Sequence, residues 1–332
     1  WRSLNISMEY PSLDTAKAGA IRFNTDSSQL EIYDGNQWTG ILSNAGELLT
    51  GGVRGFFAGG NSTNIEFIAV DRTGNATDFG DLTSTMWINK CSASRSRGLI
   101  HGERPATTNI DFITIANAGT NASDFGDLTS AREDCAGVCN GTRAIFCGGG
   151  ETNVIDYVSI SQTGNAVDFG DLFQAVNHQA SAESKTRGII ANGYKSPSPG
   201  VVNVIQYITM STLGNSADFG DSANGGYGAS GCGNAVTMVY NSGNDSSHTT
   251  KMNTLTIPTL GNSVFFGDLS RTFYGPGTAS SRTRGVFAGD YPSSSTNIEY
   301  VQLANLSDAV DFGDLVSGRG HWGGSSNGHG GL

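Results

Sequence analysis

The stretch Asp78-Phe79-Gly80-Asp81-Leu82 occurs in six related copies and divides most of the chain into units of similar length. The later copies are Asp124-Phe125-Gly126-Asp127-Leu128, Asp168-Phe169-Gly170-Asp171-Leu172, Asp218-Phe219-Gly220-Asp221, Phe266-Gly267-Asp268-Leu269 and Asp311-Phe312-Gly313-Asp314-Leu315. From each Phe to the next, the steps are 46, 44, 50, 47 and 46 residues. This period is typical of β-propellers, in which each repeat forms a four-stranded blade.

The repeated motif contains the Asp-Phe-Gly triplet that holds magnesium in protein kinases. A kinase has one such triplet, together with a Gly-rich loop, a V-A-I-K lysine and an H-R-D loop, and this sequence has none of those partners. We therefore interpret the six copies as structural. The Phe is expected to fill the contact between blades, the Gly to adopt a turn conformation closed to other residues, and the Asp to hydrogen-bond nearby backbone.

The composition favours many short strands joined by tight turns. The chain has 332 residues, 47 Gly, 15% charged residues and a formal net charge of −11. An acidic surface repels phosphate backbones, so no nucleic-acid partner is expected. No apolar run reaches the roughly 18 residues of a membrane span, and we expect neither membrane insertion nor a cofactor.

The cysteines are odd in number and include no C-x-x-C pair; they are Cys91, Cys135, Cys139, Cys147 and Cys232. Zinc sites need closely spaced paired ligands, so we predict buried free thiols and folding in a reducing cytoplasm. The first residue, Trp1, is preceded by neither Met nor a signal-like segment, which suggests a fragment or a processed form.

Each repeat reads as a series of strands. In the first unit, residues 54–60 form a strand that ends in a Gly pair, residues 65–70 a second and residues 76–82 a third. A fourth lies in the Ser- and Gly-rich residues before the next unit, which starts at Arg97. The fifth unit departs from the pattern, with Thr237 in place of the Arg and Phe265 in place of the first Asp, which leaves its local strand pairing open.

The spacing of the repeats predicts how the ring closes. Exactly 15 residues separate each Leu position of the motif from the next Arg position, as from 82 to 97 and from 269 to 284. Residues 316–330, after the last motif, have the length of another such segment, and the first unit lacks one. We therefore predict that residues 318–322 and those that follow complete blade 1. The alternative is a disordered Gly-rich tail.

Residues 1–50 do not share the repeat. Within them, residues 19–25, 30–33 and 37–41 alternate as three strands separated by turns at 26–28 and 34–35, which predicts a small β-meander. Three short strands bury little apolar surface, so this unit needs a partner for stability. We assign residues 1–50 to an attachment or oligomerisation unit and residues 51–332 to the propeller.

The meander segment G-A-I-R-F-N-T-D-S-S-Q-L-E-I-Y-D-G-N-Q-W-T-G-I, residues 19–41, carries a resemblance. It resembles the G-x-I-R-[FY]-N-[ST]…L-E-x-Y-[DN]-G-x-x-W segment of tail-fibre and other virion structural proteins of tailed phages, especially marine cyanobacterial phages. In such proteins the segment lies beside a shaft or oligomerisation region. The strand–Gly-Gly–strand pattern of the repeats is similar to the kelch class of propellers, and D-F-G-D-L resembles kelch-like repeats in phage structural proteins.

The predicted fold is therefore all-β: a six-bladed kelch-like β-propeller of four-stranded blades, closed by the C-terminal strand, with an N-terminal β-meander. Within a blade the Ser- and Gly-rich strand before the Arg position is the first strand, the strand at the Arg position the second, and the strand with the motif the fourth. In this numbering, loop lengths vary between the second and third strands, which in repeat folds often marks the binding face. The links from fourth to first strands open on the same face, because strand directions alternate.

That face is the predicted ligand-binding surface, because aromatic rings with a few polar groups suit sugar or protein recognition. The candidate contacts are Trp87, Arg104, His178, Tyr194, Lys195, Tyr227, Tyr274, Tyr291, His321 and Trp322. Glu133, Asp134 and His248 lie in the same links and loops. The structural alternative is that several of these rings cap the blades.

Two repeated sets of polar residues are expected to brace the fold. The recurrent Arg, as at Arg54 and Arg97, is predicted to pair with the motif Asp within or between blades. The series Glu66, Asp111, Asp156, Gln206, Asn253 and Glu299 is expected to form structural hydrogen bonds, with a calcium-binding ring as the alternative. No catalytic residue and no metal site is assigned, since catalysis needs one differentiated site.

The resemblance implies a virion structural protein, a tail fibre or capsid appendage, exposed on the particle after assembly in the host cytoplasm. The N-terminal unit is expected to bind other virion proteins, in a homo-oligomer for which a trimer is favoured, while the propeller binds a host surface glycan or protein. The alternatives are a capsid decoration protein without a ligand and a propeller glycan hydrolase that uses carboxylates such as Glu133 and Asp134.

Overall fold

The computed structural model describes residues 17–24, 29–40, 53–87, 90–102, 104–196, 200–245, 247–291 and 293–332. The chain divides into two compact units, residues 1–48 and residues 49–332. Every helix or strand assigned within the described ranges is a β-strand. None of those residues forms a helix long and apolar enough to cross a membrane.

The N-terminal unit contains the predicted antiparallel meander, with strand order β1-β2-β3. The strands are β1 (Ile21–Asn24), β2 (Gln29–Tyr33) and β3 (Trp38–Gly40). The Arg22 guanidinium pairs with Glu31 at 2.8 Å and lies 4.3 Å above the Trp38 ring. Asp34 accepts two backbone N–H groups of the turn between β2 and β3. The predicted turn at 26–28 and the last predicted strand residue, Ile41, lie outside the described residues.

The second unit is a six-bladed β-propeller of four-stranded antiparallel blades. From the inner to the outer strand, blade 1 consists of β31 (Trp322–Ser326), β4 (Arg54–Gly59), β5 (Ser62–Ala69) and β6 (Thr77–Met86). Blade 2 consists of β7 (Lys90–Ala93), β8 (Arg97–His101), β9 (Thr107–Thr114) and β10 (Ser123–Arg132). Blade 3 consists of β11 (Ala136–Cys139), β12 (Arg143–Cys147), β13 (Val154–Ser159) and β14 (Val167–Asp171).

The other three blades repeat this order, and two of them carry an extra hairpin. Blade 4 consists of β15 (Ala180–Glu183), β16 (Arg187–Ala191), β19 (Val204–Thr209) and β20 (Ala217–Asp221), with the hairpin β17 (Tyr194–Lys195) and β18 (Gly200–Val201). Blade 5 consists of β21 (Gly231–Gly233), β22 (Thr237–Asn241), β25 (Lys251–Thr256) and β26 (Val264–Asp268), with the hairpin β23 (Asn244–Asp245) and β24 (Ser247–His248). Blade 6 consists of β27 (Gly277–Ser280), β28 (Arg284–Ala288), β29 (Asn297–Gln302) and β30 (Val310–Asp314).

Ring closure occurs as the spacing predicts. Strand β31 pairs antiparallel with β4, from Trp322 opposite Gly59 to Ser326 opposite Gly55. The inner strand of blade 1 therefore comes from the end of the chain and its other three strands from residues 54–86. The alternative of a disordered tail is wrong.

The repeated motif forms a β-bulge on the outer strand of each blade. In blade 3, Ile155 pairs with Gly170 and Asp156 with Asp168, so Phe169 is an extra residue in the ladder. The Phe169 side chain is buried among apolar residues of blades 3 and 4, which confirms its predicted place between blades. The same register shift occurs in blade 5, so the departures in its sequence do not alter the pairing.

The motif Gly permits close approach of the next blade. Gly170 has φ +147°, and a Cβ built there would lie 2.6 Å from the carbonyl of Gly214 in blade 4. The N–H of Gly214 donates to the Phe169 carbonyl at 2.9 Å, and the N–H of Ser216 donates to the Asp171 carbonyl at 2.8 Å. Two neighbouring blades are thus joined backbone to backbone at the rim.

Each of these rim contacts also contains a third hydrogen bond. We call the complete set of rim contacts between neighbouring blades the seam. The N–H of the second motif Asp donates to a side-chain oxygen of the next blade. The pairs are Asp81 with Asn121, Asp127 with Asn165, Asp171 with Asn215, Asp221 with Asn262, Asp268 with Asp308, and Asp314 with Asn75. The last pair joins blade 6 to blade 1, so the seam runs around the whole ring.

The recurrent Arg binds the next blade, but it does not pair with the motif Asp, so that prediction is wrong. Arg97 lies 5.1 Å from the ring centroid of Phe112 in its own blade and donates to the Ile160 carbonyl of blade 3 at 3.1 Å. The other stacked pairs are Arg54 on Phe67, Arg143 on Tyr157, Arg187 on Tyr207 and Arg284 on Tyr300. Blade 5 has Thr237 at the position of the Arg and Thr254 at the position of the aromatic ring, so this blade has neither member of the stacked pair.

In blades 1, 2, 5 and 6 the second motif Asp instead accepts a hydroxyl from its own blade, in or just before the neighbouring strand. These contacts join Thr63 to Asp81, Thr108 to Asp127, Thr250 to Asp268 and Thr296 to Asp314. The carboxylate is thus satisfied without the guanidinium, which is free to bind backbone carbonyls across the blade boundary.

The polar series on the third strands forms the predicted structural hydrogen bonds. Each member is at most 1% exposed and binds the chain shortly after the motif of the preceding blade. Asp111, for example, accepts the backbone N–H of Thr83 at 2.9 Å and its hydroxyl at 2.7 Å, and Glu299 accepts the backbone N–H and the hydroxyl of Ser270. Burial without such partners would cost several kcal/mol, so these residues form a polar ring inside the blades.

The chain after β31 occupies the lower end of the central channel, the end opposite the variable loops. His329 is 7% exposed; its Nε2 lies 2.6 Å from the Ala93 carbonyl oxygen and its Nδ1 2.5 Å from Oε1 of Glu183. Each ring nitrogen thus lies beside an acceptor, the arrangement that suits an imidazolium. Nδ1 also lies 3.1 Å from the backbone N of Gly331, whose N–H would donate to it in the neutral ring. Burial lowers the pKa of His329, but Glu183 and these hydrogen bonds outweigh burial and raise the pKa above its usual value.

All five cysteines are buried and free, as predicted. Burial raises the pKa of each thiol, as for Cys135, whose pKa rises to about 11. These thiols act as small apolar side chains in the blade interiors.

We predict that removal of residues 322–332 abolishes cooperative unfolding, because β4 then loses its inner partner and the inner strand of blade 6, β27, loses its neighbour β31. Removal of residues 327–332 alone should leave the ring closed with a lower melting temperature. Melting curves by circular dichroism test both truncations. A sharp, unshifted transition in the longer truncation would contradict the observed closure.

The seam predicts a difference between two Gly substitutions. Gly170→Ala and Gly164→Ala both place Ala at a positive φ, +147° and +155°, but only Gly170 faces backbone within 4 Å. Gly170→Ala should therefore cost about 1–3 kcal/mol more than Gly164→Ala. Urea unfolding of both variants measures the difference, and equal losses would show that the blades do not need this close approach.

His329 predicts a pH-dependent contribution to stability. Because its folded-state pKa is raised, the contribution is fully present below the unfolded value of 6.5 and is lost as pH rises through the folded value. His329→Gln should lower the free energy of unfolding by about 1–3 kcal/mol at pH 6 and by less at pH 9. Asn327→Ala, in the same tail, removes a contact to Arg54 that does not titrate and should cost the same at both pH values.

Candidate ligand-binding face

The variable loops and the links between blades lie at one end of the channel, which we call the upper face. The two extra hairpins of blades 4 and 5 are insertions between second and third strands, as the loop lengths predict. Rings from loops and links touch each other: His248 in the blade 5 loop lies 5.4 Å from Tyr274 in the link to blade 6. Loops and links therefore open on the same face.

Eight aromatic rings on the upper face form one contiguous group, the aromatic cluster. Its members are Trp87, His178, Tyr194, Tyr227, His248, Tyr274, Tyr291 and His321, with centroids of touching rings 4.4–6.4 Å apart. Tyr274 lies at the centre and touches five of the others. The rings come from blades 4, 5 and 6 and from the links between blades.

The aromatic cluster has a buried base and an accessible rim. Tyr274 and His321 are 8% and 7% exposed, whereas Tyr291 is 41% exposed. Tyr194 and Tyr227 are half-buried. Burial raises the pKa of Tyr274, so its hydroxyl stays protonated at neutral pH and remains a hydrogen-bond donor.

The mouth of the channel is formed by one residue position that recurs in each blade. This position lies six residues after the Leu position of the motif and has a left-handed backbone, with φ between 54° and 66° in the described blades. It is occupied by Asp134, His178, Gly228, Gly275 and His321; the equivalent Ile88 lies outside the described residues. The repeat thus fixes the backbone of the mouth while the side chain differs from blade to blade.

The two glycines of this series make room for the rings above them. A Cβ at Gly228 would lie 2.2 Å from Cε2 of Tyr274, and one at Gly275 would lie 3.0 Å from Nδ1 of His321. The base of the aromatic cluster fits over the mouth only because these positions lack side chains.

Charged residues occupy the other side of the mouth, beside blades 2 and 3. Arg104 pairs with Glu133 at 3.1 Å near the surface. Lys90 starts the inner strand of blade 2 and reaches across the channel to blade 5, where its ammonium donates to Ser230 Oγ at 3.1 Å and to the Ala229 carbonyl at 3.4 Å. A single side chain thus spans the mouth.

Asp134 faces Lys90 from blade 3 and is 1% exposed. Burial raises the pKa of Asp134 and Lys90 opposes this rise; burial lowers the pKa of Lys90 and Asp134 opposes this fall. Nδ1 of His178 lies 3.2 Å from Oδ1 of Asp134, but the ring nitrogen is not directed at it, and Oδ1 has no hydrogen bond among the described residues.

The two histidines of the mouth are neutral at neutral pH. Burial, with the nearby positive charges led by Lys90, lowers the pKa of His178 to about 3 and that of His321 to about 4. They therefore serve as flat rings and hydrogen-bonding groups. Within the described ranges, no group of three or more His, Cys, Asp or Glu side chains is arranged to hold a metal ion.

Seven of the ten residues named from the sequence meet in the aromatic cluster: Trp87, His178, Tyr194, Tyr227, Tyr274, Tyr291 and His321. Arg104 lies on the charged side, and Lys195 is half-buried in β17 beside Tyr194. Trp322 is different, since it is 1% exposed, packs 5.4 Å from Phe57 and donates its indole N–H to the Ala288 carbonyl at 2.8 Å. Its main contacts are those of a core residue.

Sequence reasoning missed Lys90. An alignment of the repeats carries the signal, because the position eight residues after the Leu position holds Lys90, Ala136, Ala180, Ser230, Gly277 and Gly323. A single charged residue at a position otherwise held by small residues distinguishes blade 2 from the other blades. Asn177 and Asn244 were also missed. The backbone of Asn177 forms an isolated β-bridge with that of Tyr194, and the backbone of Asn244 forms one with that of Tyr227. The side-chain oxygens of both Asn residues are buried without partners in the described structure.

No protein-family model matches the chain, and no curated protein matches it significantly.

Proposed function

We propose that this protein is a recognition module that binds a surface glycan through the upper face of its propeller. The aromatic cluster is the observation that carries the proposal. Its rings lie outside the repeated pattern of strands and motifs, and they come from loops and links of several blades. Rings gathered on one face give a large contact area at low entropic cost.

Polar groups beside the exposed rings favour a glycan over a protein surface as ligand. Asn177 and Asn244 pair through their backbones with Tyr194 and Tyr227, and their side-chain oxygens are buried without partners in the described structure; we propose that these oxygens turn outward to accept hydrogen bonds from ligand hydroxyls. Buried polar atoms without partners are costly, and a ligand rich in hydroxyl groups satisfies them. A sugar offers both an apolar face for a ring and hydroxyls for the amides.

We further propose that the chain is a virion structural protein of a tailed phage, with the propeller presented to the host. The resemblance of residues 19–41 supports this context. The meander exposes Ile21 and Ile32, which are 61% and 36% exposed, and attachment to other virion proteins or to copies of itself, as in a trimer, would cover them. Several copies on one particle multiply weak contacts into firm attachment.

Removal of exposed rings should weaken glycan binding. We expect Tyr291→Ala and Tyr227→Ala each to raise the Kd about tenfold, which corresponds to about 1.4 kcal/mol. Binding to lipopolysaccharide and capsular polysaccharide purified from cyanobacteria is measured by biolayer interferometry. The control is Phe265→Ala on the outer strand of blade 5, where Phe265 is 47% exposed; an equal effect of all three variants would count against a site on the upper face.

A second candidate function is glycan hydrolysis at the same face. The raised pKa of Asp134 beside Glu133 is the observation that favours it, because a raised pKa brings a carboxyl closer to the protonated form that a general acid needs. Release of reducing ends is followed in the binding samples, with Glu133→Gln as the variant. Saturable binding without release excludes the hydrolase, and absence of both binding and release favours a capsid decoration protein.

A further inference from the structure

The centre of the upper face contains a small cavity at the channel mouth. Its volume is about 10 Å³, and Lys90, Asp134, His178 and His321 line it together with two glycines and Trp322. This space holds one water-sized group. Its lining comes from the inner strands of blades 1 and 2 and from the links that lead into the other blades, so every repeat contributes to this site.

Asp134 and Lys90, on two sides of this cavity, each keep hydrogen-bonding capacity that the described residues do not use. Oδ1 of Asp134 has no hydrogen bond among the described residues. An ammonium has three N–H donors, and among the described residues Lys90 has two acceptors, Ser230 and Ala229. No ion pair joins Lys90 to Asp134 in the described structure. A group that fits between them must donate to one side and accept from the other.

A hydroxyl has this pair of properties, and a carboxylate does not. A carboxylate in the cavity would accept from Lys90 but would repel Asp134 and leave its oxygen unpaired. The chain as a whole, with a net charge of −11, also repels anionic ligands. Arg104, the other cation of the mouth, is already paired with Glu133.

We infer that the channel mouth is the primary subsite for a neutral pyranose, whose hydroxyl donates to Asp134 and accepts from Lys90 while its apolar face lies on the aromatic cluster. This inference rests on the proposed function. The expected ligands are neutral sugars in preference to uronic or sialic acids. Asp134 and Lys90 are the residues that select them.

The test uses the full chain with methyl glucoside, galactoside and mannoside as neutral probes and methyl glucuronide and galacturonide as acidic counterparts. Binding is read by saturation-transfer NMR and titration. We expect at least one neutral pyranoside to bind at least fivefold more tightly than its uronide.

The decisive variant is Asp134→Gly, because glycine occupies the same left-handed position at Gly228 and Gly275, so the backbone of the mouth is retained. We expect it to weaken pyranoside binding at least tenfold, with Asp134→Asn in between. Glu151→Gly is the matched control, since Glu151 is an exposed residue of the same blade with φ 62° and should leave affinity unchanged. Melting temperatures confirm that all variants are folded.

Three results would overturn the inference. Uronides that bind as tightly as neutral sugars contradict the assigned ligand class. Unchanged binding in Asp134→Gly, with loss in Tyr291→Ala, shows that sugars bind the aromatic cluster away from the mouth, and the proposed function then survives alone. Polysaccharide binding without any pyranoside binding also rejects the mouth as primary subsite, whereas no binding of either probe rejects the proposed function as well.

Discussion

The seam at the rim is the contact on which the rest of the structure depends. Six bulged outer strands each present a glycine, and the backbone of the next blade approaches so closely that a methyl group would collide with it. The hydrogen bonds of the seam then repeat from blade to blade until blade 6 meets blade 1. The Arg side chains reinforce this arrangement at five of the six boundaries, where they bind backbone carbonyls of the next blade and not the carboxylates of the motif.

The seam, the polar ring and the strands are repeated in every blade and hold the ring together, so the loops of the upper face contribute little to its stability. The mouth of the channel shows this separation at a single position. The left-handed backbone is the same in each described blade, yet the side chain is a carboxylate, an imidazole or absent. A regular ring thus supplies a set of fixed attachment points, and chemical differences among those points create one asymmetric site at its centre.

Much of the fold followed from the sequence, because its determinants are local and repeated. The period, the constant spacing from Leu to Arg and the missing strand of the first unit were sufficient to predict six blades and closure by residues near Trp322.

The partners of individual side chains were harder to predict. The sequence suggested an ion pair of Arg97 with a motif Asp, whereas aromatic stacking and a backbone carbonyl of the next blade bind that guanidinium. Trp322 and His321 are adjacent in sequence, but His321 has a left-handed backbone just before β31 and its ring joins the aromatic cluster, whereas Trp322 starts the strand and packs in the core. The role of Lys90 could not be predicted, because its hydrogen-bond partners lie in blade 5, on the opposite side of the channel and far away in the sequence.

The origin of the closing strand also governs how the protein is made. Strand β4 ends at Gly59 and its inner partner begins at Trp322, 263 residues later (322 − 59 = 263). At a ribosomal rate of about 5–20 residues per second, the inner edge of blade 1 waits roughly 13–50 s for its partner. An open strand edge is a template for pairing with other chains. Nascent copies on one message therefore carry the same unpaired edge side by side, so the order of translation, and not only the final contacts, decides whether each ring closes on itself.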